Sequence, residues 1–206
     1  MRHAITLNVN GEEWELEVDP GETLLEVLRD RVGVKSPKVG CERGDCGACT
    51  VLLDGKSVRS CLVLAVEADG QGVITVEGLS RDGPNELQQA FVERNAFQCG
   101  FCAPGVILSA SELLAENPTP SEDEVRDALA GNLCRCTGYT PIVEAVMSVV
   151  DAKAGAGSGS VSAGTATRAA GGKESGAGKQ LHSDVSDGAQ PHSARRGASG
   201  KEGDDA

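Results

Sequence analysis

The sequence predicts an α+β protein, with a small β-sheet domain followed by a helical domain and by a tail that we expect to be disordered. Apolar and polar residues alternate through the first part of the chain, and apolar residues recur at helical spacing through the second. The last part is rich in Gly, Ala and Ser, and it cannot bury enough apolar surface to offset its ordering entropy. The predicted divisions are residues 1–79, 80–151 and 152–206.

The sheet domain begins with a predicted β-hairpin. Residues 5–9 and 14–18 alternate in polarity on either side of an Asn-Gly pair, which is typical of a tight hairpin turn. Thr23 and Glu26 then have the spacing of a capping box, and they predict a helix over residues 23–32.

A second hairpin and one further strand complete the predicted sheet. Residues 50–53 and 57–60 flank an Asp-Gly turn signal, and residues 73–76 predict a short last strand. Strands around a single helix are typical of a β-grasp, ferredoxin-like fold.

The helical domain follows a turn-rich boundary at residues 80–85. Ser121 and Glu124 form a second capping box, and Pro141 stands where helices accept proline in their first turn. Apolar residues at helical spacing predict a small four-helix bundle whose helices include residues 87–91, 106–114, 125–129 and 142–150.

Charge and composition exclude several classes of partner. The net charge of −12 leaves no basic stripe to neutralise phosphates, so we expect no nucleic-acid partner. No apolar run approaches the roughly 20 residues that a membrane span needs. The first residues contain no apolar signal-peptide core, so we expect a cytoplasmic, reducing location in which disulfides are disfavoured.

Four of the eight cysteines lie in or near one glycine-containing loop. Cys41, Cys46 and Cys49 have the spacing C-x4-C-x2-C, and the second hairpin is expected to bring Cys61 back to them. This spacing is typical of the [2Fe–2S] cluster of plant-type ferredoxins. Four thiolates can also hold structural zinc, although zinc ribbons favour two separate C-x2-C pairs. Glycines at positions 40, 44 and 47 are expected to adopt positive φ and to let backbone N–H groups approach an anionic cluster.

The other four cysteines form a second set in the helical domain. Cys99 and Cys102 are followed after a long gap by Cys134 and Cys136. Both pairs lie at predicted helix junctions, where a helix N-terminus can lower the pKa of a thiol. The pattern favours a second [2Fe–2S] cluster, and zinc remains the alternative.

Together these motifs resemble the iron–sulfur subunit of the xanthine dehydrogenase family of molybdenum hydroxylases. The resemblance covers residues 3–150 and includes all eight cysteines. Ala103 and the pair Pro84-Asn85 depart from the family pattern, but neither position is a ligand. The resemblance implies an oxidoreductase subunit with two [2Fe–2S] clusters, a molybdopterin-binding large subunit and an FAD-binding medium subunit as partners.

The resemblance also implies how the clusters are oriented. The N-terminal cluster would lie toward the flavin subunit and the helical-domain cluster toward the molybdopterin subunit. Gln98 and Cys136 match the positions that lie against the pterin in this family. The substrate pocket would belong to another chain.

The leading hypothesis is therefore an electron-transfer subunit that cannot hydroxylate a substrate alone. The chain has no glycine-rich dinucleotide fingerprint of its own. A free-standing ferredoxin-like carrier with two clusters and a zinc-stapled interaction module are the alternatives.

Overall fold

Two β-hairpins and one joining strand form a mixed five-stranded sheet. The computed structural model describes residues 1–81 and 83–157. The strands are β1 (His3–Val9), β2 (Glu12–Val18), β3 (Thr50–Leu53), β4 (Lys56–Arg59) and β5 (Gly72–Ile74). Their order in the sheet is β2-β1-β5-β3-β4. Strand β1 pairs antiparallel with β2 and parallel with β5, and β3 lies between β5 and β4, antiparallel to both.

Both hairpins predicted from the sequence are present, but the last strand ends earlier than expected. β5 ends at Ile74, whereas the sequence predicted a strand over residues 73–76. Thr75 leaves the ladder because its backbone N–H donates to Oδ1 of Asn10 at 2.9 Å, in the turn of the first hairpin. The Asn10 side chain therefore takes the place of the backbone carbonyl that a neighbouring strand would offer to Thr75.

The first helix begins at the predicted capping box. Thr23 accepts from the backbone N–H of Glu26, and the Glu26 carboxylate accepts from the backbone N–H of Thr23 at 2.7 Å. The α-helical turn α1 (Leu24–Glu26) continues as a π-helical turn over Val27–Val32. Its apolar side packs on the sheet in a core that includes Leu7, Val9, Leu24, Leu28, Val51 and Val73.

Four helices follow, and their buried faces share a second apolar core. They are α2 (Glu86–Glu93), α3 (Ala103–Glu116), α4 (Glu122–Leu129) and α5 (Thr140–Gly157). The core is built from Phe91, Val106, Leu129, Ile142, Val146 and their neighbours. Ser121 and Glu124 form the capping box predicted for α4, and Asn85 and Gln88 form one at α2 that was not predicted.

The last helix is longer than the sequence predicted. α5 continues to Gly157, so the expectation of disorder from residue 152 is wrong for residues 152–157. Residues 158–206, on which the rest of that expectation falls, lie outside the described residues. No helix within residues 1–81 and 83–157 is long and apolar enough to cross a membrane.

The sheet and the helices pack together through α3, which lies against the β3–β4 hairpin. The backbone N–H of Ser57 donates to the Glu112 carboxylate at 3.1 Å, and Lys56 forms an ion pair with Glu116. The hairpin that leads to Cys61 is thereby held against the helix that begins after Cys102.

A carboxylate joins the end of the sheet to the loop that precedes Cys41. Glu77 accepts hydrogen bonds from the backbone N–H and the hydroxyl of Ser36, and from the hydroxyl of Thr75 at 2.6 Å. Burial raises the pKa of Glu77, but the hydrogen bonds from Ser36 and Thr75 outweigh it and hold the pKa below its usual value. The folded state therefore favours the ionised form.

Replacing Glu77 with glutamine should destabilise the protein at neutral pH and much less at acid pH. Hydrogen bonds to a charged group contribute about 1.5–3 kcal/mol when they are buried, and solvent screening at the exposed Glu77 reduces this to about 1 kcal/mol or less. Because the pKa is lowered on folding, this contribution is present above the ordinary glutamate pKa of about 4.3 and is lost as the pH falls through the folded-state pKa.

Urea unfolding of the wild-type chain and Glu77→Gln at pH 7 and in steps below pH 4.5 measures this difference. Glu15→Gln, which changes an exposed carboxylate on β2, is the matched control. A stability difference for Glu77→Gln that stayed constant over the whole pH range would contradict the role given to its charge.

Candidate metal centres

The four N-terminal cysteines lie close together around the loop of residues 41–49. The backbone N–H of Cys46 donates to Sγ of Cys41 at 3.4 Å, and the thiols of Cys49 and Cys61 are hydrogen-bonded to each other. Ser60 donates from its hydroxyl to the Cys49 carbonyl at 2.7 Å, which holds Cys61 beside the loop. As the sequence predicted, the second hairpin brings Cys61 back to this group.

Backbone N–H groups of the loop donate hydrogen bonds to the Cys41 thiol. N–H groups of Arg43, Cys46 and Asp45 lower the pKa of the Cys41 thiol to about 7. Burial, followed by the neighbouring Cys49, raises the pKa of Cys61 to about 11. Backbone N–H groups that stabilise a thiolate at Cys41 are also suited to an anionic cluster bound there.

Glycines in the loop allow its close contacts, though not all in the way the sequence predicted. Gly44 and Gly47 have positive φ, at 88° and 69°, whereas Gly40 does not. Gly40 is needed for space instead, because a Cβ atom there would lie 2.7 Å from Sγ of Cys46. A Cβ atom on Gly47 would lie 2.3 Å from the carbonyl oxygen of Gly131.

The four cysteines of the helical part form a second group. Sγ of Cys136 lies 3.6 Å from Sγ of Cys99, and the thiols of Cys102 and Cys134 are hydrogen-bonded to each other. The hydroxyl of Thr137 lies 3.1 Å from Sγ of Cys134. Cys99 and Cys136 are exposed, in contrast to the buried Cys49 and Cys61 of the first group.

Thiol pKa values in the second group depend on burial as well as on hydrogen bonds. The backbone N–H of Phe101 lowers the pKa of Cys99. Burial raises the pKa of Cys134, but hydrogen bonds, first from Thr137, outweigh it and lower the pKa overall. The expected lowering at a helix N-terminus is wrong for Cys102, which immediately precedes α3, because burial and the adjacent Cys134 raise its pKa to about 12.

Both groups have the donor chemistry that a [2Fe–2S] cluster requires. Each offers four thiols, and in the first group the absence of a side chain at Gly40 lets Sγ of Cys46 lie close to the backbone. Within the part of the chain that the structure describes, no set of three or more His, Cys, Asp or Glu residues forms a site that could hold a metal ion. The grouping of the thiols therefore rests on the pairwise contacts given above.

Gln98 and Cys136 are both exposed. Gln98 directly precedes Cys99, whose sulfur approaches Cys136. Its side chain makes no hydrogen bond to the residues that the structure describes, so the amide is free to meet a neighbouring molecule.

A buried hydrogen-bond network that the sequence did not predict connects the two groups. Asn132, 1% exposed, donates from Nδ2 to the Gly47 carbonyl and to Oγ1 of Thr50, both at 3.1 Å. Its Oδ1 accepts from the hydroxyl of Ser109 at 2.8 Å. Arg59 adds a hydrogen bond of 2.8 Å to the Gly131 carbonyl.

The backbone continues this connection directly between the cysteine loops. The N–H of Leu133 donates to the Cys46 carbonyl at 2.9 Å. The Tyr139 hydroxyl donates to the Asn132 carbonyl and accepts from the N–H of Cys134 at 2.8 Å. Residues next to one thiol group are thus hydrogen-bonded to residues of the other.

Two protein-family models match consecutive parts of the chain. Residues 7–75 match a 2Fe-2S iron–sulfur cluster binding domain, and residues 75–147 match a [2Fe-2S] binding domain. Each thiol group lies within one of these matches. The comparisons favour iron–sulfur over the zinc alternative.

Curated relatives and solved structures agree with these matches. The chain is 52% identical to the nicotine 6-hydroxylase small subunit of Paenarthrobacter nicotinovorans, over 71% of this chain and 88% of the relative. It is 45% identical to the xanthine dehydrogenase iron–sulfur-binding subunit of Escherichia coli O157:H7, over 71% of this chain and 96% of the relative. A chain of quinoline 2-oxidoreductase from Pseudomonas putida 86 superposes with a TM-score of 0.71 at 47% identity, covering 73% of this chain and 95% of that one.

Asn132→Ala should destabilise the contact between the loop of residues 41–49 and the segment that leads to Cys134. The substitution removes two buried hydrogen bonds, one to the Gly47 carbonyl in the first cysteine loop and one to Thr50 at the start of β3. It also leaves the Ser109 hydroxyl without its acceptor. Each buried polar group left unpaired costs about 1–3 kcal/mol. Thermal unfolding should show a lower midpoint than for Asn8→Ala, an exposed asparagine on β1, and equal midpoints would argue against a buried network at Asn132.

Proposed function

Because this chain belongs to the iron–sulfur subunits of the xanthine dehydrogenase family, we propose that it transfers electrons within a molybdenum hydroxylase complex. Its partners are a molybdopterin-binding large subunit and an FAD-binding medium subunit. The relatives named above are themselves described as subunits, which supports a complex over a free-standing carrier. The cytoplasmic location expected from the sequence stays a prediction.

The observation that supports this proposal is that pairwise contacts join cysteines within two separate sets, each of which lies inside one [2Fe-2S] family match. Cys41, Cys46, Cys49 and Cys61 hold one [2Fe–2S] cluster, and Cys99, Cys102, Cys134 and Cys136 hold the other. When bound, each cluster accepts and releases one electron at a time. We also propose a β-grasp fold for residues 1–79 and a four-helix bundle that begins after residue 79 and ends with α5 at Gly157.

The protein contributes burial and hydrogen bonding around the sulfur ligands. Backbone N–H groups of Arg43, Cys46 and Asp45 donate toward Cys41, which stabilises negative charge there. Cys49 and Cys61 are 2% and 9% exposed, so water has little access to that side of the site. Such differences in hydrogen bonding and solvent exposure set cluster potentials.

The exposed side of the second group faces the molybdopterin subunit in this proposal. An amide such as that of Gln98 can both donate to and accept from the polar edge of a pterin. Cys136 is also exposed, and a ligand thiolate in contact with the pterin gives a short route for electron entry. The N-terminal group then lies toward the flavin subunit.

The fully loaded chain should contain about four irons and about four acid-labile sulfides, as two [2Fe–2S] clusters require. Reduction should produce two distinguishable EPR signals. Iron and sulfide analysis of reconstituted protein tests this, with Cys41→Ser and Cys136→Ser each expected to remove one signal. A colourless protein, or one with half the iron after full reconstitution, would contradict two clusters.

In the assembled complex, Gln98→Ala should slow reduction of the clusters by substrate while both clusters stay in place. Cys41→Ser should disrupt the N-terminal cluster and leave electron entry unimpaired. Stopped-flow reduction monitored by visible absorption measures both, and Gln89→Ala on α2 is the control for loss of an exposed amide. If Gln98→Ala left the rate unchanged and Cys41→Ser abolished reduction, the orientation would be reversed.

A further inference from the structure

Lys38 lies in the loop before Cys41, but its charged end points toward the helical part of the protein. Its backbone N–H donates to the Ala48 carbonyl at 2.9 Å, which fixes the loop beside the first thiol group. Its ammonium group donates to the Ser36 carbonyl at 3.1 Å and lies 5.7 Å from the centroid of the Phe101 ring. The side chain is half-buried.

Phe101 stands between Cys99 and Cys102, so this cation lies close to the second thiol group. Burial lowers the pKa of Lys38, and the nearby Arg29 acts in the same direction. Glu77, and then Cys102 and Cys99 in their ionised forms, attract the ammonium and oppose that lowering. The Lys38 ammonium therefore lies within electrostatic reach of two proposed cluster ligands in the helical part of the chain.

The surroundings of Lys38 suit a cation. An ammonium over the face of an aromatic ring is attracted by the ring quadrupole, and the Ser36 carbonyl accepts one of its protons. A charge at a partly buried position is screened less by water and salt than an exposed one. Its field therefore acts on the neighbouring thiol group.

We propose that Lys38 raises the reduction potential of the cluster held by Cys99, Cys102, Cys134 and Cys136. Reduction adds one electron to the cluster without forming or breaking a bond, so the site becomes more negative by one charge. A nearby cation stabilises the more negative state and makes the electron easier to add. The N-terminal part of the chain thus adjusts the potential of a centre bound by the helical part.

This assignment rests on the proposed function, because it requires clusters on both thiol groups. It is tested on the full chain with both clusters loaded, by redox titration with dithionite followed by EPR. The Cys41→Ser variant identifies which signal belongs to the helical part. Iron analysis of every sample separates loss of a cluster, which bears on the proposed function, from a change of potential in a cluster that is present.

Lys38→Met should lower the midpoint of the helical-part signal and leave that of the N-terminal signal less affected. A decrease of up to roughly tenfold in the reduction equilibrium constant, about 59 mV for a one-electron couple, is expected. Lys38→Arg keeps the charge and should restore most of the original midpoint. Lys35→Met removes a charge from the same loop, where the exposed ammonium bonds to the Arg29 carbonyl, and it should shift neither signal appreciably.

Three outcomes would overturn the assignment. In the first, Lys38→Met with full iron content leaves the midpoint of the helical-part signal unchanged. In the second, the midpoint of the N-terminal signal shifts more than the midpoint of the helical-part signal. An equal shift in Lys35→Met would show that the effect comes from net charge and has no connection with the position of Lys38.

Discussion

The arrangement of the sheet and the helices within the described residues depends on one contact between two loops that each bear cysteines. Leu133 donates from its backbone to the Cys46 carbonyl, and Asn132 donates to the Gly47 carbonyl next to it. Both bonds lie one residue or less from a proposed cluster ligand. The relative position of the two thiol groups is therefore fixed locally, and small movements elsewhere in the fold have little influence on it. Gly47 allows this contact because a side chain there would collide with the Gly131 carbonyl.

The same contact explains why the sheet and the helices belong to one unit of structure although each has its own apolar core. The loop contact is polar and buried, and its donors and acceptors are paired by Asn132, Thr50, Ser109 and Arg59. Buried polar groups are costly unless all are satisfied, so such a network favours a single alignment over a range of looser ones. Electron transfer between two centres benefits from a single alignment, since their separation then stays constant.

Local sequence signals predicted the parts of the structure that depend on neighbouring residues. The capping boxes at Thr23 and Ser121 and the two hairpins are local. The two sets of four cysteine ligands stay a prediction from the spacing, of which the structure shows pairwise contacts. Asn132 and Lys38 could not be found in this way, because their partners are far away in sequence and neither belongs to a spaced motif. The early end of β5 has the same cause, since the acceptor for Thr75 is on Asn10, in another hairpin. The sequence correctly placed Cys102 at the start of a helix. Burial, which the sequence pattern does not show, nevertheless raises the pKa of its thiol.

The two thiol groups differ in how they meet solvent, and this affects how the chain behaves before it joins other subunits. Oxygen or a chelator can reach Cys99 and Cys136 without any movement of the fold, whereas access to Cys49 and Cys61 requires local opening. In the proposed orientation, the side that the molybdopterin subunit would cover is also the side most open to solvent in a free chain. Assembly would then shield the two thiols that folding alone leaves exposed.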